Sequence, residues 1–236
     1  MGISAILWDF DGTIIDTLSQ HFLVNQKIYS LVKPNEKKDN WPEALTNLDK
    51  YIKAEYETVN WRDLYKTFGF SEEQTNQAGG MWTNQVSKNR ELMKMFLGIY
   101  DILQSIDLPQ GICSLNCSDH IKNILQANGI DHHFTSVVGY NDVSFDSQKP
   151  HPEGFLLCID KMNIKNSGTI FYIGDHKEDV KFAKNSEIAL KNRGDDFSIL
   201  TIAACYGGSD CSSWDVQPDF VAHNTSDISE IIRKFV

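Results

Sequence analysis

No apolar run in this chain reaches the length needed to cross a bilayer, so a helical membrane span is not expected. There is no Lys/Arg-rich run either, and 22 basic residues face 32 acidic ones for a formal net charge of −10. Nucleic acid and anionic membrane surfaces are therefore poor matches as partners. The N-terminus lacks a basic stretch followed by a long apolar one, so no signal peptide is expected. Five cysteines, an odd number without paired motif spacing, point to reduced thiols in a cytoplasmic compartment. Cys113 and Cys117 form a C-x3-C with no second pair to complete a zinc site. Internal repeats and low-complexity segments are absent as well. With 41% hydrophobic and 23% charged residues, wholesale disorder and collagen-like structure are excluded. The 236 residues suit one large domain or two modest ones.

What is present is an alternating pattern. Ile3 to Trp8 (I-S-A-I-L-W) is a short, mostly apolar run, the signature of a strand buried on both faces of a parallel sheet. Similar runs recur at Gly111–Leu115, Ser136–Val138, Thr169–Ile173 and Ile199–Ala203, with helical patterns such as Asp119–Asn128 and Glu153–Met162 between them. Strands alternating with helices predict an α/β fold, a Rossmann-like parallel sheet flanked by helices. One stretch breaks the rhythm. From Asp16 to about Phe96 there is no convincing strand but helix-like segments at Thr17–Leu31, Pro42–Tyr56, Trp61–Phe68 and Ser71–Ser87. The expected organisation is an α/β core of residues 1–15 and 98–236 with an inserted α-helical domain over 16–97, hinged at Ile15–Thr17 and Met95–Gly98.

Ligands of open α/β sheets bind at the carboxyl ends of the strands. After the first strand come Asp9 and Asp11 in Asp9-Phe10-Asp11-Gly12-Thr13. Residues two apart in an extended segment share a side, so both acids face one site. Two such close carboxylates repel unless a cation lies between them, which suits one as nucleophile or metal ligand and the other as proton donor and acceptor. Gly12 permits a tight turn, and the Thr13 hydroxyl could bind an anion. After the fourth apolar run, Gly174-Asp175-His176-Lys177-Glu178-Asp179 places Asp175 and Asp179 four apart, on one face if the helix begins there; simple N-capping by Asp175 is the alternative. Carboxylates converging from two strand ends form an all-oxygen, hard-cation site that suits Mg²⁺. Lys149, followed by two loop-stiffening prolines in Gln148-Lys149-Pro150-His151-Pro152, offers a counter-charge for an anionic substrate.

The order D-F-D-G-T, a polar strand end near Ser114–Ser118, K-P-H-P and G-D-x-x-x-D resembles the haloacid dehalogenase superfamily, and the inserted helices resemble its α-helical cap. Ala204-Cys205-Tyr206-Gly207 and Gln217-Pro218-Asp219-Phe220 look like its phosphoglycolate-phosphatase-like branch. The resemblance implies that Asp9 attacks phosphorus to give an aspartyl-phosphate and that Asp11 protonates the leaving alkoxide, then activates water. It implies Mg²⁺ on the Asp9 carboxylate, the Asp11 backbone carbonyl and the Asp175 carboxylate, with Lys149 on the phosphoryl oxygens and Asp9, and with Asp179 orienting a metal-bound water or Lys149. Dehalogenases of the superfamily lack an acid at the Asp11 position, so its presence favours phosphate chemistry. The second motif departs from the pattern. Its hydroxyl position aligns with Leu115, leaving Asn116, or else Ser114, to bind phosphate with Gly12 and Thr13. His176 is expected to be solvated or to lie behind the ligating groups. In the cap, Trp41, Trp61, Arg62, Lys66 and Trp82 are candidates to read the rest of a substrate, against the reading that they are helix-bundle core or solvent-facing. The expected activity is that of a cytoplasmic, Mg²⁺-dependent phosphatase of a small phosphorylated metabolite, phosphoglycolate or a sugar phosphate. A sugar phosphomutase on the same site, or a catalytically weak regulatory protein of this fold, are the rival readings.

Overall fold

The computed structural model describes residues 2–88, 93–164 and 167–235. The chain divides into two compact units, Met1–Ile15 with Met95–Val236, and Asp16–Lys94. The first is built on a six-stranded sheet of β1 (Ile3–Trp8), β4 (Gln110–Cys113), β5 (Ser136–Val138), β6 (Ser167–Gly174), β7 (Asp196–Ala204) and β8 (Phe220–Ala222). Every pairing is parallel and the order is β5-β4-β1-β6-β7-β8. Chain direction across the sheet reverses at β1. The succession β1, β4, β5 runs one way and β6, β7, β8 the other, so a crevice opens beyond the carboxyl ends of β1 and β6.

Alternation along the strands sends side chains to both faces. Ala5, Leu7, Ile170 and Tyr172 pack on α7 (Glu153–Met162) and α8 (Lys177–Arg193). Helix α7 buries Phe155, Cys158, Ile159 and Met162, the i, i+3, i+4, i+7 stripe of an amphipathic helix; each such side chain contributes roughly 1.5–3 kcal/mol on burial. On the opposite face Phe171 meets the edges of Phe220 and Phe235 at centroid distances of 6.4 and 5.3 Å. The indole of Trp8 donates to Gln110 (3.0 Å), whose amide donates to Leu103 O and so ties α5 (Ile99–Ser105) beneath the sheet. Helix α9 (Thr225–Ile232) packs against α5 and β8, and α6 (Ser118–Ala127) against β5.

The second unit is helical: α1 (Leu18–Val32), α2 (Leu48–Glu57), α3 (Trp61–Thr67) and α4 (Glu72–Ser87). Its core is dominated by aromatic rings, with Tyr29, Tyr51, Tyr65, Phe68 and Phe70 buried around Val24, Ile28, Leu45 and Leu64. Tyr29 and Phe70 stack at 5.5 Å. The segment expected as one helix over Pro42–Tyr56 is two, a 3-10 turn at Glu43–Leu45 and α2. Asn47 separates them, its side chain accepting from Asp49 N and Lys50 N as an N-cap. Two very short strands, β2 (Ile15–Asp16) and β3 (Lys94–Met95), pair with each other where the chain passes between the units, a pairing too short to leave an alternating pattern in the sequence. Trp41 and Trp82 pack on the helical core. Trp61 is 43% exposed, with the Arg62 guanidinium 4.4 Å from its ring, and Lys66 pairs with Asp63 at 2.7 Å.

Candidate active site

Asp9 follows β1, and its backbone N–H donates to Ile173 O of β6 at 2.7 Å, which continues the ladder one step past the strand and fixes the carboxylate at the crevice. The chain then turns sharply. Ile14 and Ile15 both donate to Phe10 O, and Gly12 N donates to Ile15 O. Gly12 has φ +73, and a Cβ there would stand 2.1 Å from an oxygen of Asp175, so only glycine permits both the turn and the approach of that carboxylate. The Thr13 hydroxyl, which the sequence offers to an anion, is turned instead onto Asp175 Oδ1 at 3.2 Å.

Asp175 lies just beyond β6 and outside the following helix. The side chain that caps α8 is His176, accepting from Glu178 N, while Asp179 closes the capping box by accepting from His176 N at 3.0 Å. The helix-capping alternative for Asp175 is corrected by this geometry, since His176, half-buried, takes the cap. Because the helix begins at Lys177, Asp175 and Asp179 are not neighbours on a helix face; Asp179 folds back over the strand end. Gly174 permits it, since a Cβ there would lie 2.4 Å from Asp179 Cγ.

The Lys149 ammonium sits between Asp9 Oδ1 and Asp179 Oδ1, 2.7 Å from each, with its side chain only 6% exposed. It lies over the rings of Tyr172 and Phe182, at 5.2 and 5.3 Å. The loop that delivers it carries a cis Lys149–Pro150 peptide. The Tyr172 hydroxyl reaches Asp179 Oδ1 at 3.4 Å while donating to Cys113 O at 3.0 Å. Burial, the strongest influence, raises the Asp9 carboxyl to about 7; Lys149 pulls it back, and Asp179 and Asp11 push the same way as burial. Burial opposes the charge on Lys149, but the Asp179 and Asp9 carboxylates outweigh it and hold the ammonium above the ordinary lysine range.

Oxygens of Asp9, Asp175 and Asp179, all buried, lie within 4.8 Å of one another. Asp11 joins them from the first loop. Its Oδ2 accepts from the Asn116 amide at 2.9 Å, and its Oδ1 is buried with no hydrogen-bond partner among the described residues. Asp9 and Asp179 share the Lys149 ammonium, and with Asp175 and the open Asp11 oxygen they make an all-oxygen donor set that fits a hard divalent cation. Asp179 is the member with least to offer it, since both its oxygens are taken by Lys149, Tyr172 and His176 N. In the second strand's loop, Ser114 is buried and its hydroxyl accepts from Asn116 N at 3.2 Å. Asn116 points its amide into the site, and Leu115 is 44% exposed.

Sequence reasoning missed two residues here. Tyr172 is a strand residue whose hydroxyl role has no local signal. Tyr206, in the turn after β7, donates to Thr13 O at 2.6 Å. Burial, then the negative charges of Asp175 and Asp9, hold its phenol well above the usual range, so the hydroxyl remains a donor.

Comparison with known proteins meets this geometry directly. The family model of haloacid dehalogenase-like hydrolases matches residues 6–191. The chain belongs to that family. It is 24% identical over 234 residues to Pyrophosphatase PpaX of Listeria monocytogenes serotype 4b, covering 98% of this chain and 97% of the relative. Over a shorter segment of 82 residues it is 33% identical to Phosphoglycolate phosphatase of Escherichia coli K12, covering 35% and 31%. Among solved structures, a haloacid dehalogenase-like family hydrolase from Streptococcus pneumoniae superposes with a TM-score of 0.75 at 16% identity, covering 97% and 98% of the two chains. A predicted phosphoglycolate phosphatase from Haemophilus somnus 129PT gives 0.70 at 17% identity, covering 97% of each. These likenesses extend the shared fold over nearly the whole chain. No helix among the described residues is long and apolar enough to cross a membrane.

Proposed function

We propose that this hydrolase is a Mg²⁺-dependent phosphatase of a small phosphorylated metabolite, acting through an aspartyl-phosphate on Asp9. The observation that carries the reading is the buried Lys149 ammonium shared by Asp9 and Asp179 at 2.7 Å, set in the crevice between β1 and β6. That arrangement holds Asp9 in one orientation and, despite its burial, supplies a positive charge beside it. Asp9 is then a fixed nucleophile whose carboxylate attacks phosphorus to form an acyl phosphate as the bond from phosphorus to the leaving oxygen breaks. Asp11 stands in the same loop, oriented by the Asn116 amide. It gives the leaving oxygen a proton and, as carboxylate, later takes one from the water that cleaves the acyl phosphate. Lys149 binds phosphoryl oxygens while it keeps Asp9 in place. Asp179 orients Lys149, since its own oxygens are already committed.

Asp9, the Asp11 backbone carbonyl and Asp175 would hold the cation; when bound, it supplies positive charge that brings two anions together and stabilises charge on the transferring group. Ser114, Asn116, Gly12 and Thr13 border the phosphate position, with Asn116 the donor nearest the acids. The names of the relatives put pyrophosphate and phosphoglycolate first in the substrate panel, followed by sugar phosphates.

The test is phosphate release from that panel by the full chain with Mg²⁺, with EDTA, and by Asp9→Asn. Turnover abolished by both treatments is expected. Silence of the folded, Mg²⁺-supplied protein on every compound, or turnover that survives Asp9→Asn, would overturn the reading.

A further inference from the structure

The turn Asp11-Gly12-Thr13 is gripped from two sides. Inside the crevice, the Thr13 hydroxyl donates to Asp175 Oδ1. Behind it, the carbonyl of the same residue accepts from the Tyr206 hydroxyl at 2.6 Å, across 193 residues of sequence. Tyr206 is carried by the short turn Cys205–Gly207, which leaves the carboxyl end of β7. Its ring is fixed edge-on against Phe96 at 5.0 Å, and Phe96 N donates to Ile14 O at 3.1 Å, the next carbonyl of the same turn. One tyrosine therefore holds residue 13 directly and bears on residue 14 through its neighbour. Thr13 links that anchor to one of the carboxylates proposed to hold the cation.

We propose that Tyr206 is a positioning residue, whose hydroxyl holds Thr13 so that the Thr13 side chain aims Asp175 at the cation. This rests on the phosphatase reading above for the identity of the site, but not for the geometry of the clamp. Tyr206 touches no reacting atom; it acts through the backbone of one residue and the side chain that residue presents. Such outer contacts set how well a ligating carboxylate is preorganised.

Tyr206→Phe removes the hydroxyl and leaves the ring against Phe96. The probe is Mn²⁺ alone, titrated into metal-free full-length protein and followed by the paramagnetic resonance signal of the free ion. Tyr206→Phe is expected to bind Mn²⁺ about five- to tenfold more weakly than wild type, the scale of one lost hydrogen bond behind a ligand. Turnover of p-nitrophenyl phosphate at low Mg²⁺ should fall with it and recover as Mg²⁺ is raised, the substrate KM staying unchanged. Phe96→Leu is the second variant: it loosens the same ring but keeps the hydroxyl, so it should lower the melting temperature while leaving Mn²⁺ affinity intact. Wild-type affinity in a folded Tyr206→Phe overturns the inference, and so does an equal loss in Phe96→Leu, which would make the effect one of packing. If wild type binds Mn²⁺ and Asp9→Asn is inactive, either result removes the clamp and spares the phosphatase reading. If wild type binds no Mn²⁺, both fall together.

Discussion

The sheet unit and the helical unit solve burial in opposite ways. Beneath the sheet the core is aliphatic and aromatic side chains interleaved on two faces, and the acids buried at the ends of β1 and β6 are joined through Lys149, which donates to both Asp9 and Asp179. In the helical unit aromatic rings dominate, and buried polar groups are scattered through the core. Asn25 donates to the Tyr51 hydroxyl at 2.8 Å, while Asn25 Oδ1, Trp41 Nε1 and Glu55 Oε2 are buried without a hydrogen-bond partner among the described residues. Polar atoms concentrated in one connected network create a field that can do chemistry. The difference should make the two units respond differently to substitution.

The largest expected contrast comes at Asp9. Asp9→Asn should lower phosphatase turnover by about three orders of magnitude or more, because the carboxylate proposed to attack phosphorus becomes an amide. Stability should move the other way. A carboxyl raised in the folded state to about 7 from an ordinary 3.8 binds its proton more tightly folded than unfolded. The fold therefore loses stability as pH climbs from the lower value to the upper, and the full cost is present above it. Without divalent cation at about pH 8, Asp9→Asn should therefore unfold at a higher temperature than wild type, the difference shrinking toward about pH 5. Thermal unfolding in EDTA at the two pH values checks this, and a destabilised Asp9→Asn at the higher pH would contradict it.

Lys149→Met tests the same network through its cation. It leaves two buried carboxylates facing each other without their shared partner, a loss of about 3–5 kcal/mol for a broken buried pair. The loss should be greatest above about pH 7 and smaller near pH 5, where Asp9 is already neutral. Denaturant titration reads both; a cost independent of pH would mean that Asp9 is not the group that Lys149 stabilises.

The helical unit should answer to volume, not charge. Phe68 is 2% exposed within the aromatic core, and Phe68→Ala is expected to cost about 3–5 kcal/mol through the cavity it leaves. Mn²⁺ affinity measured on the same folded protein should stay at the wild-type value, because every carboxylate of the site belongs to the sheet unit. Weakened Mn²⁺ binding in Phe68→Ala would break the contrast.

What the sequence discloses follows the same divide. D-F-D-G-T, K-P-H-P and G-D-x-x-x-D are legible because strand, turn and acid lie within a few residues, so the local pattern already contains the geometry. The contacts that orient those acids are not local. Asn116 meets Asp11 across 105 residues and Tyr206 meets Thr13 across 193, and nothing in either neighbourhood signals the pairing. The cap of α8 is not legible because Asp is the better cap by propensity, yet Asp175 is held by Thr13 and His176 takes the helix end. Three-residue β8 and seven-residue α5 are too short for periodicity to stand out. In the helical unit the apolar run across Pro42–Tyr56 hides the break at Asn47, since a capping residue inside a helix-like stretch reads as an ordinary polar position.

Helix ends give the finest version of the contrast. Each of α2, α3 and α4 opens on a side chain that satisfies its first amides: Asn47, Asn60 and Ser71. In the sheet unit His176 and Asp179 do this for α8 while Asp179 also holds Lys149, so a cap there cannot be removed without disturbing the site. Ser71 carries no second duty. Its hydroxyl accepts from Gln74 N at 3.2 Å and the Gln74 side chain accepts from Ser71 N at 3.0 Å. Ser71→Ala should therefore cost about 1 kcal/mol, seen as faster hydrogen exchange at the Gln74 amide and a small drop in melting temperature, with Mn²⁺ affinity and turnover unchanged. Asp179→Asn, which keeps a cap oxygen but loses the charge facing buried Lys149, should lower melting temperature more than Ser71→Ala does and turnover far more. Equal effects on turnover from the two substitutions would mean that helix capping, and not the charge beside Lys149, is what the sheet unit needs from Asp179.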